Sequence, residues 1–191
     1  MMNPLRIGNL VVAVPVVQGG MGVGISLSGM AAAVANEGGI GVIAASGLPK
    51  QELIDQIRLA RSLQKNTNGL IGVNIMFAAS EFNMLVRTSI EEGIDLIIFG
   101  AGFSRDIFAI GKESNTPIVP IVSSPKLAVL SKKLGASAVI AEGKEAGGHL
   151  GTDLETEKII PEIRKALDET PDNPDVGRVP LIAAGGITSG M

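Results

Sequence analysis

Short, continuously apolar segments alternate along the chain with longer amphipathic segments. Seven apolar segments, several of them rich in Val and Ile, are predicted to be strands: residues 14–17, 40–44, 70–75, 96–99, 118–122, 138–141 and 181–184. Because they are apolar at successive positions and not at every second one, they are typical of strands covered on both faces. The pattern therefore predicts a parallel sheet with helices packed against it.

The segments between these strands carry signals for the ends of helices. Ser124 and Pro125 predict an N-cap and a first-turn proline, and Gly135 is placed to end that helix. Ser28 and Ser80 are predicted to cap two further helices. The helices expected from these signals and from the apolar spacing cover residues 31–36, 51–64, 81–92 and 125–133.

Alternating strands and helices leave two architectures open, a doubly wound open sheet and a closed (β/α)8 barrel. A barrel typically needs roughly 250 residues, whereas this chain has 191. If the fold is a barrel, seven strands fit and the eighth does not. We therefore expect a chain truncated shortly after strand seven.

Composition and charge exclude several classes of function. The chain has no Cys and one His, His149, which excludes disulfides and thiolate metal sites and argues against a zinc site built on imidazoles. The net charge of −3, the absence of Trp and Tyr and the lack of a basic stripe argue against nucleic-acid binding. No apolar segment approaches the roughly 20 residues of a bilayer span, and no signal peptide is recognisable. We expect a cytoplasmic protein with no membrane association.

Four segments at the ends of predicted strands carry candidate chemistry, because ligands of parallel α/β folds bind at the carboxyl ends of the strands. They are residues 18–24, Asn74, residues 142–151 and residues 183–187. The first segment is Gly-rich but is not a dinucleotide fingerprint, because Leu27 stands where the third Gly is needed. The third segment is not a P-loop, because no Lys-Ser or Lys-Thr pair follows its glycines.

Each of these segments has a plainer interpretation beside the functional one, which for residues 18–24 is a flexible turn in place of a loop that lets a ligand approach the backbone. Asn74, a polar amide among apolar neighbours, is expected to bind either a backbone turn or a planar heterocycle. His149 is either a structural or solvated side chain or a catalytic group that titrates near neutral pH. Residues 183–187 form either a simple strand-to-helix turn or a backbone phosphate site.

Taken together, these segments resemble the nitronate monooxygenase family, formerly called 2-nitropropane dioxygenases, which includes FMN-dependent enoyl-acyl-carrier-protein reductases. The matching stretches are residues 15–22, 38–43, 73–74, 145–151 and 183–187. They fall in family order and cover essentially the whole chain, and the Glu-Ala-Gly-Gly-His-Leu-Gly stretch is the most specific of them. The family pattern differs at Glu162, where many members have Gln, and its Gly-Thr loop after strand eight is absent here.

The resemblance implies an α/β fold, a (β/α)8 TIM barrel over residues 1–191 that lacks the eighth strand and the second phosphate loop. It also implies FMN as a non-covalent cofactor and no metal. By this resemblance Gly20, Met21 and Gly22 line the flavin, Asn74 bonds its ring or tail, and Gly185 and Gly186 hold the phosphate. The full set of cofactor-binding candidates is Gly20, Met21, Gly22, Asn74, Glu142, Gly147, Gly148, Gly185 and Gly186, and the catalytic candidate is His149.

The activity implied is oxidation of alkyl nitronates with O2 to carbonyl compounds and nitrite. Two alternatives stay open: an FMN-dependent enoyl-acyl-carrier-protein reductase that uses NAD(P)H, and a non-catalytic truncated fragment. The expected partners are therefore a small-molecule substrate, either a nitronate or an enoyl thioester, with O2 or NAD(P)H. The sequence leaves homo-oligomer formation open.

Overall fold

A computed structural model describes residues 3–22, 24–147, 151–174 and 176–187. Its strands are β1 (Leu5–Ile7), β2 (Leu10–Val12), β3 (Ile40–Ala44), β4 (Leu70–Met76), β5 (Leu96–Gly100), β6 (Ile118–Val122), β7 (Val139–Glu142) and β8 (Leu181–Ala184). Its helices are α1 (Ser28–Asn36), α2 (Lys50–Leu63), α3 (Phe82–Glu91), α4 (Asp106–Ser114), α5 (Pro125–Leu134) and α6 (Thr156–Glu169). None of the helices in these ranges is long and apolar enough to cross a membrane.

The six strands β3 to β8 form one parallel sheet in which sequence neighbours are also spatial neighbours. This sheet curls into part of a barrel, so the predicted α/β class and barrel architecture are confirmed. The first predicted strand, residues 14–17, runs parallel to β3 but is joined to it only by a bridge between Val17 and Ile40. Ile40 N donates to Val16 O at 2.9 Å, and Gln18 N donates to Ile40 O at 2.9 Å.

Two apolar clusters lie on the two faces of the curled sheet. The inner cluster includes Ile40, Val42 and Ile98, and the fully buried Ile7 and Val12 of the β1–β2 hairpin pack into it. The outer cluster joins the other face of the strands to the helices. Because successive strand residues point to opposite faces, burial on both sides explains the continuously apolar segments of the sequence.

Helix ends confirm one predicted cap and correct two. Ser124 Oγ accepts a hydrogen bond from Leu127 N at 3.3 Å, and α5 ends at Gly135 with φ +96°. Ser28 is instead the first residue of α1 and is buried, and its N–H donates to Gln56 Oε1 of α2 at 3.0 Å. Ser80 does not cap α3, which begins after Glu81. Phe82 N donates instead to Ala79 O of the preceding turn at 3.1 Å. In α1 the expected cap is itself a helical residue, and in α3 an N–H that Ser80 was expected to satisfy has another partner.

The backbone of helix α1 lies in direct contact with the backbone of the sheet. A Cβ atom added to Gly41 of β3 would lie 1.8 Å from Ala31 O, and one added to Gly69 would lie 1.9 Å from Ala35 O. No side chain other than hydrogen fits at such a contact. The two glycines therefore fix the position of α1, whose amino end follows directly on the Gly-rich loop after residues 14–17.

Lys132 of α5 is buried and holds the carboxyl end of α6. Its Nζ donates to Leu167 O at 2.7 Å and to Thr170 O at 2.6 Å, and it lies 2.7 Å from Asp172 Oδ1. We expect Lys132→Met to lower the free energy of unfolding by about 3 kcal/mol, because it leaves these acceptors without their donor. Urea unfolding followed by circular dichroism measures the change.

The control for this prediction is Lys133→Met, which removes the adjacent exposed lysine of the same helix. This variant should change the free energy of unfolding by less than about 0.5 kcal/mol. Equal midpoints for the two variants would contradict the role assigned to Lys132.

Candidate active site

A cavity of about 670 Å³ lies at the carboxyl ends of the strands. Ile98, Ile121 and Ile140 on the inner face of the sheet contribute apolar walls to it. Its rim is built from residues 18–21, Asn74, Glu142, Ala146, Gly147 and residues 183–187. The volume is in the range of small-molecule and cofactor sites, roughly 300–1,000 Å³.

The Gly-rich loop after residues 14–17 is held in place by Gln18 and Ser26. Gln18 Oε1 accepts from Val42 N of β3 at 2.9 Å, and Gln18 Nε2 donates to Ser26 Oγ at 3.0 Å. Ser26 is fully buried, and its Oγ accepts from Met21 N at 2.9 Å. These bonds fix the backbone of the loop at the rim and leave the Met21 side chain 49% exposed there.

Asn74 supports this loop from the neighbouring strand β4. Its Nδ2 donates to Gly20 O at 3.1 Å, so the amide binds a backbone turn, which was one of the two interpretations left open. A Cβ atom on Gly20 would lie 2.5 Å from Asn74 Cβ, so only glycine allows this approach. Among the described residues Oδ1 of Asn74 has no partner, and Asn74 lines the cavity.

Glu142, at the end of β7, is the only charged residue among the described residues that line the cavity. Its side chain is half-buried, and burial raises the pKa of its carboxyl group above the ordinary value. Within the ranges described, this carboxyl group makes no hydrogen bond or ion pair. It can therefore accept hydrogen bonds from the hydroxyl groups of a ligand.

The loop after β8 presents backbone to the cavity. Gly185 and Gly186 have φ of +103° and +69°, a conformation that favours glycine. Their N–H groups make no hydrogen bond to any described residue. Backbone N–H groups that lack protein partners at the carboxyl end of a barrel strand can bind the oxygens of a phosphate group.

The structure brings together most of the site residues predicted from the sequence. Those that line the cavity are Gly20, Met21, Asn74, Glu142, Gly147, Gly185 and Gly186. Gly22 is exposed and outside the lining, because the loop turns there and faces it toward Ile25. Gly148 and His149 lie outside the described residues. Glu162 is exposed on α6 and is not part of the lining, so the departure at this position places no charge in the cavity.

The fold and the cavity define an α/β-barrel protein with a ligand site at the carboxyl ends of its strands. A family model for nitronate monooxygenase matches residues 3–85 and 64–191, which together cover nearly the whole chain. The chain belongs to the nitronate monooxygenase family, a family of flavin-type oxidoreductases.

Individual relatives agree with this assignment. The chain is 34% identical to a protein of known structure, FabK from Thermotoga maritima, with a TM-score of 0.82 over 94% of this chain and 53% of that one. It is 31% identical to the (3aS,4S,5R,7aS)-5-hydroxy-7a-methyl-1-oxo-octahydro-1H-indene-4-carboxyl-CoA dehydrogenase of Mycobacterium tuberculosis (strain ATCC 25618 / H37Rv), over 92% of this chain and 46% of that protein. It is 28% identical to a probable nitronate monooxygenase of Staphylococcus aureus (strain MSSA476), over 92% of this chain and 58% of that protein. The chain thus spans about half the length of the relatives it matches.

The family is generally flavin-dependent, and the residues of the cavity fit a flavin nucleotide. The apolar walls suit a planar ring system, and Gly20, which packs closely against Asn74, adds no side chain of its own to the cavity. Glu142 offers an acceptor for hydroxyl groups, and the loop of Gly185 and Gly186 offers N–H donors for a phosphate. No part of this arrangement needs a metal, and the described residues contain no cluster of acidic or His side chains that could hold one.

Proposed function

We propose that residues 1–191 form an FMN-binding domain and that the protein oxidises alkyl nitronates with O2 to carbonyl compounds and nitrite. The observation that carries the proposal is the convergence of Gly20, Gly147, Gly185 and Gly186 on one cavity with apolar walls. When bound, FMN would supply the redox chemistry.

The chain's own residues would bind and orient the cofactor. The amide of Asn74 has an oxygen available for the flavin ring or its tail, and Glu142 would accept hydrogen bonds from hydroxyl groups of the tail. The N–H groups of Gly185 and Gly186 would hold the phosphate. Since the described lining contains no Lys or Arg, these backbone groups would have to bind the phosphate without help from a cationic side chain there.

His149 is proposed to act on the substrate. It would remove a proton from a neutral nitroalkane, or in its protonated form hold the anionic nitronate. Gly147, just before the segment that contains it, lines the cavity, and a Cβ atom added to Gly151, just after the segment, would lie 2.5 Å from Ser123 Oγ, directly after β6. Both ends of this segment are therefore held near the carboxyl ends of the strands.

An acyl thioester is the second candidate substrate. It is favoured by the relative that is 31% identical and is named as a dehydrogenase of a carboxyl-CoA compound. In this alternative the protein reduces an enoyl thioester, such as an enoyl-acyl-carrier protein, with NAD(P)H, and His149 orients or protonates the thioester near its carbonyl group.

Two assays on the FMN-loaded protein separate the candidates. Nitronate oxidation is expected to consume O2 and release nitrite with no added nicotinamide. Enoyl reduction would instead consume NADH or NADPH only when an enoyl thioester is present. Nicotinamide consumption of that kind without O2-dependent nitrite release would overturn the nitronate proposal, and loss of both activities would favour a non-catalytic fragment.

A further inference from the structure

Glu145 and Thr156 join two loops that line the cavity, beyond the bond from Gly143 N to Ala184 O at 3.2 Å where the two strands end. Glu145 lies in the loop after β7, and Thr156 is the first residue of α6. Glu145 Oε2 accepts from Thr156 N at 2.9 Å and lies 2.8 Å from Thr156 Oγ1. The same hydroxyl lies 3.0 Å from Gly185 O in the loop after β8, so it can donate to either oxygen.

Glu145 takes the place of a local cap on α6. The side chain of the N-cap residue, Glu155, accepts no hydrogen bond from a backbone N–H of the first turn, and the carboxylate of Glu145 satisfies Thr156 N from eleven residues upstream. The hydrogen bonds from Thr156 hold the pKa of Glu145 below its usual range, so the group is ionised at neutral pH. Charge-assisted bonds of this kind are stronger than bonds between neutral groups.

A second connection closes the same loop at its base. Lys144 N donates to Leu154 O at 2.8 Å, and Lys144 Nζ donates to Glu155 Oε1 at 3.0 Å. Hydrogen bonds from Lys158 and Lys144 lower the pKa of Glu155 to about 2. The segment that contains His149 is therefore held at its two ends, by Lys144 on one side and by Leu154 and Glu155 on the other.

The loops after β7 and β8 have little room to move where they meet the start of α6. A Cβ atom on Gly143 would lie 2.3 Å from Thr156 N, and one on Gly185 would lie 2.9 Å from both Thr156 Oγ1 and Ala146 N. The backbones of the two loops and of α6 are thus in direct contact. A bond at this point holds Gly147 and Gly185 at a fixed separation across the rim of the cavity.

We propose that Glu145 and Thr156 are positioning residues that hold the loop after β7 against the loop after β8 and so pre-form the cofactor side of the cavity. As far as the cofactor is concerned, this inference rests on the proposed function. The joining of the loops itself does not depend on any ligand. When the bonds are removed, the loops separate for part of the time, and only the fraction with joined loops binds FMN.

The test uses Thr156→Val, which removes the hydroxyl, and Glu145→Ala, which removes the carboxylate. Thr156→Ser restores the hydroxyl, and Glu157→Gln changes an exposed carboxylate in the same turn of α6. The first readout is amide hydrogen exchange of residues 143–147 and 182–187 without FMN, with residues 40–44 as an internal reference. The second readout is the dissociation constant of FMN.

We expect Thr156→Val and Glu145→Ala to raise both the exchange rate of the two loops and the dissociation constant of FMN by about fivefold, the usual effect of losing a helix cap. Thr156→Ser and Glu157→Gln should stay within about twofold of the unmodified chain, and exchange of residues 40–44 should not change. Unchanged loop exchange in both disruptive variants would overturn the inference, whether or not FMN binds.

The remaining outcomes are also decisive. Faster loop exchange with an unchanged dissociation constant would overturn the positioning of the cofactor. Failure of the unmodified chain to bind FMN would contradict the proposed function and the cofactor part of the inference, while hydrogen exchange still decides whether the loops are joined. If Glu145→Ala fails to fold, the near-isosteric pair Thr156→Val and Thr156→Ser gives the same comparison.

Discussion

Replacing His149 with asparagine is expected to lower the turnover of a neutral nitroalkane by about 10²- to 10⁴-fold, the usual contribution of a general acid or base. Asparagine is polar and of similar shape, but it neither takes up a proton near neutral pH nor carries a positive charge. His149 is the only histidine of the chain, so no second imidazole can replace it. Nitrite release under steady-state conditions measures the effect.

Substrate in two forms distinguishes the two roles proposed for His149. If it acts as a base, preformed nitronate should bypass the step, and the variant should recover most of its turnover with that substrate. If it acts as a positive group, turnover of the nitronate should fall as well. Equal FMN content in the variant and the unmodified protein is the control, and normal turnover of the neutral nitroalkane would show that the assigned role is wrong.

The second large effect is expected at Gly41, where alanine should lower the free energy of unfolding by about 3 kcal/mol or more. The added Cβ atom would lie 1.8 Å from Ala31 O, which is too close for two non-bonded atoms. Either α1 moves away from β3 or the strand distorts, and both changes open the packing between sheet and helices. This loss is a large fraction of the 5–15 kcal/mol that typically stabilises a domain.

Gly29→Ala is the matched control for this prediction, because Gly29 lies in α1 itself and a Cβ atom there would meet nothing within 4 Å. Alanine favours a helix over glycine by roughly 1 kcal/mol, so this variant should be as stable as the unmodified chain or more so. Urea unfolding followed by circular dichroism compares the two. Equal stability of Gly41→Ala and Gly29→Ala would contradict the close packing of α1.

The parallel sheet was predictable from the sequence because strands buried on both faces are apolar at successive positions. Six of the seven predicted strands are strands of the sheet, and residues 14–17 form a parallel bridge next to β3. The β1–β2 hairpin was missed, although Gly8 and Asn9 between short alternating segments are a recognised two-residue turn signal. Its strands have only three residues each, too few for a clear periodicity.

The site was predictable where it consists of Gly-rich strand ends and was not predictable where it depends on tertiary hydrogen bonds. Gln18 lay inside a segment that the sequence singled out, but its bond to Val42 joins residues 24 positions apart. No sequence pattern pointed to Thr156, because its role depends on hydrogen bonds that join the start of α6 to two loops distant in sequence. The same limit explains Ser28, whose N–H has a partner in another helix.

If the cavity at the carboxyl ends of the strands binds FMN, as we claim, titration of the 191-residue chain with FMN will show it. Since the chain has no Trp and no Tyr, its own absorbance in the near ultraviolet is minimal and bound flavin is easily measured. We predict saturable binding with perturbed visible bands, a yellow protein after desalting, and weaker binding in Gly185→Val, which places a branched side chain against Thr156 and Ala146. A chain that is folded by circular dichroism but stays colourless and gives no saturable signal with FMN would contradict the claim.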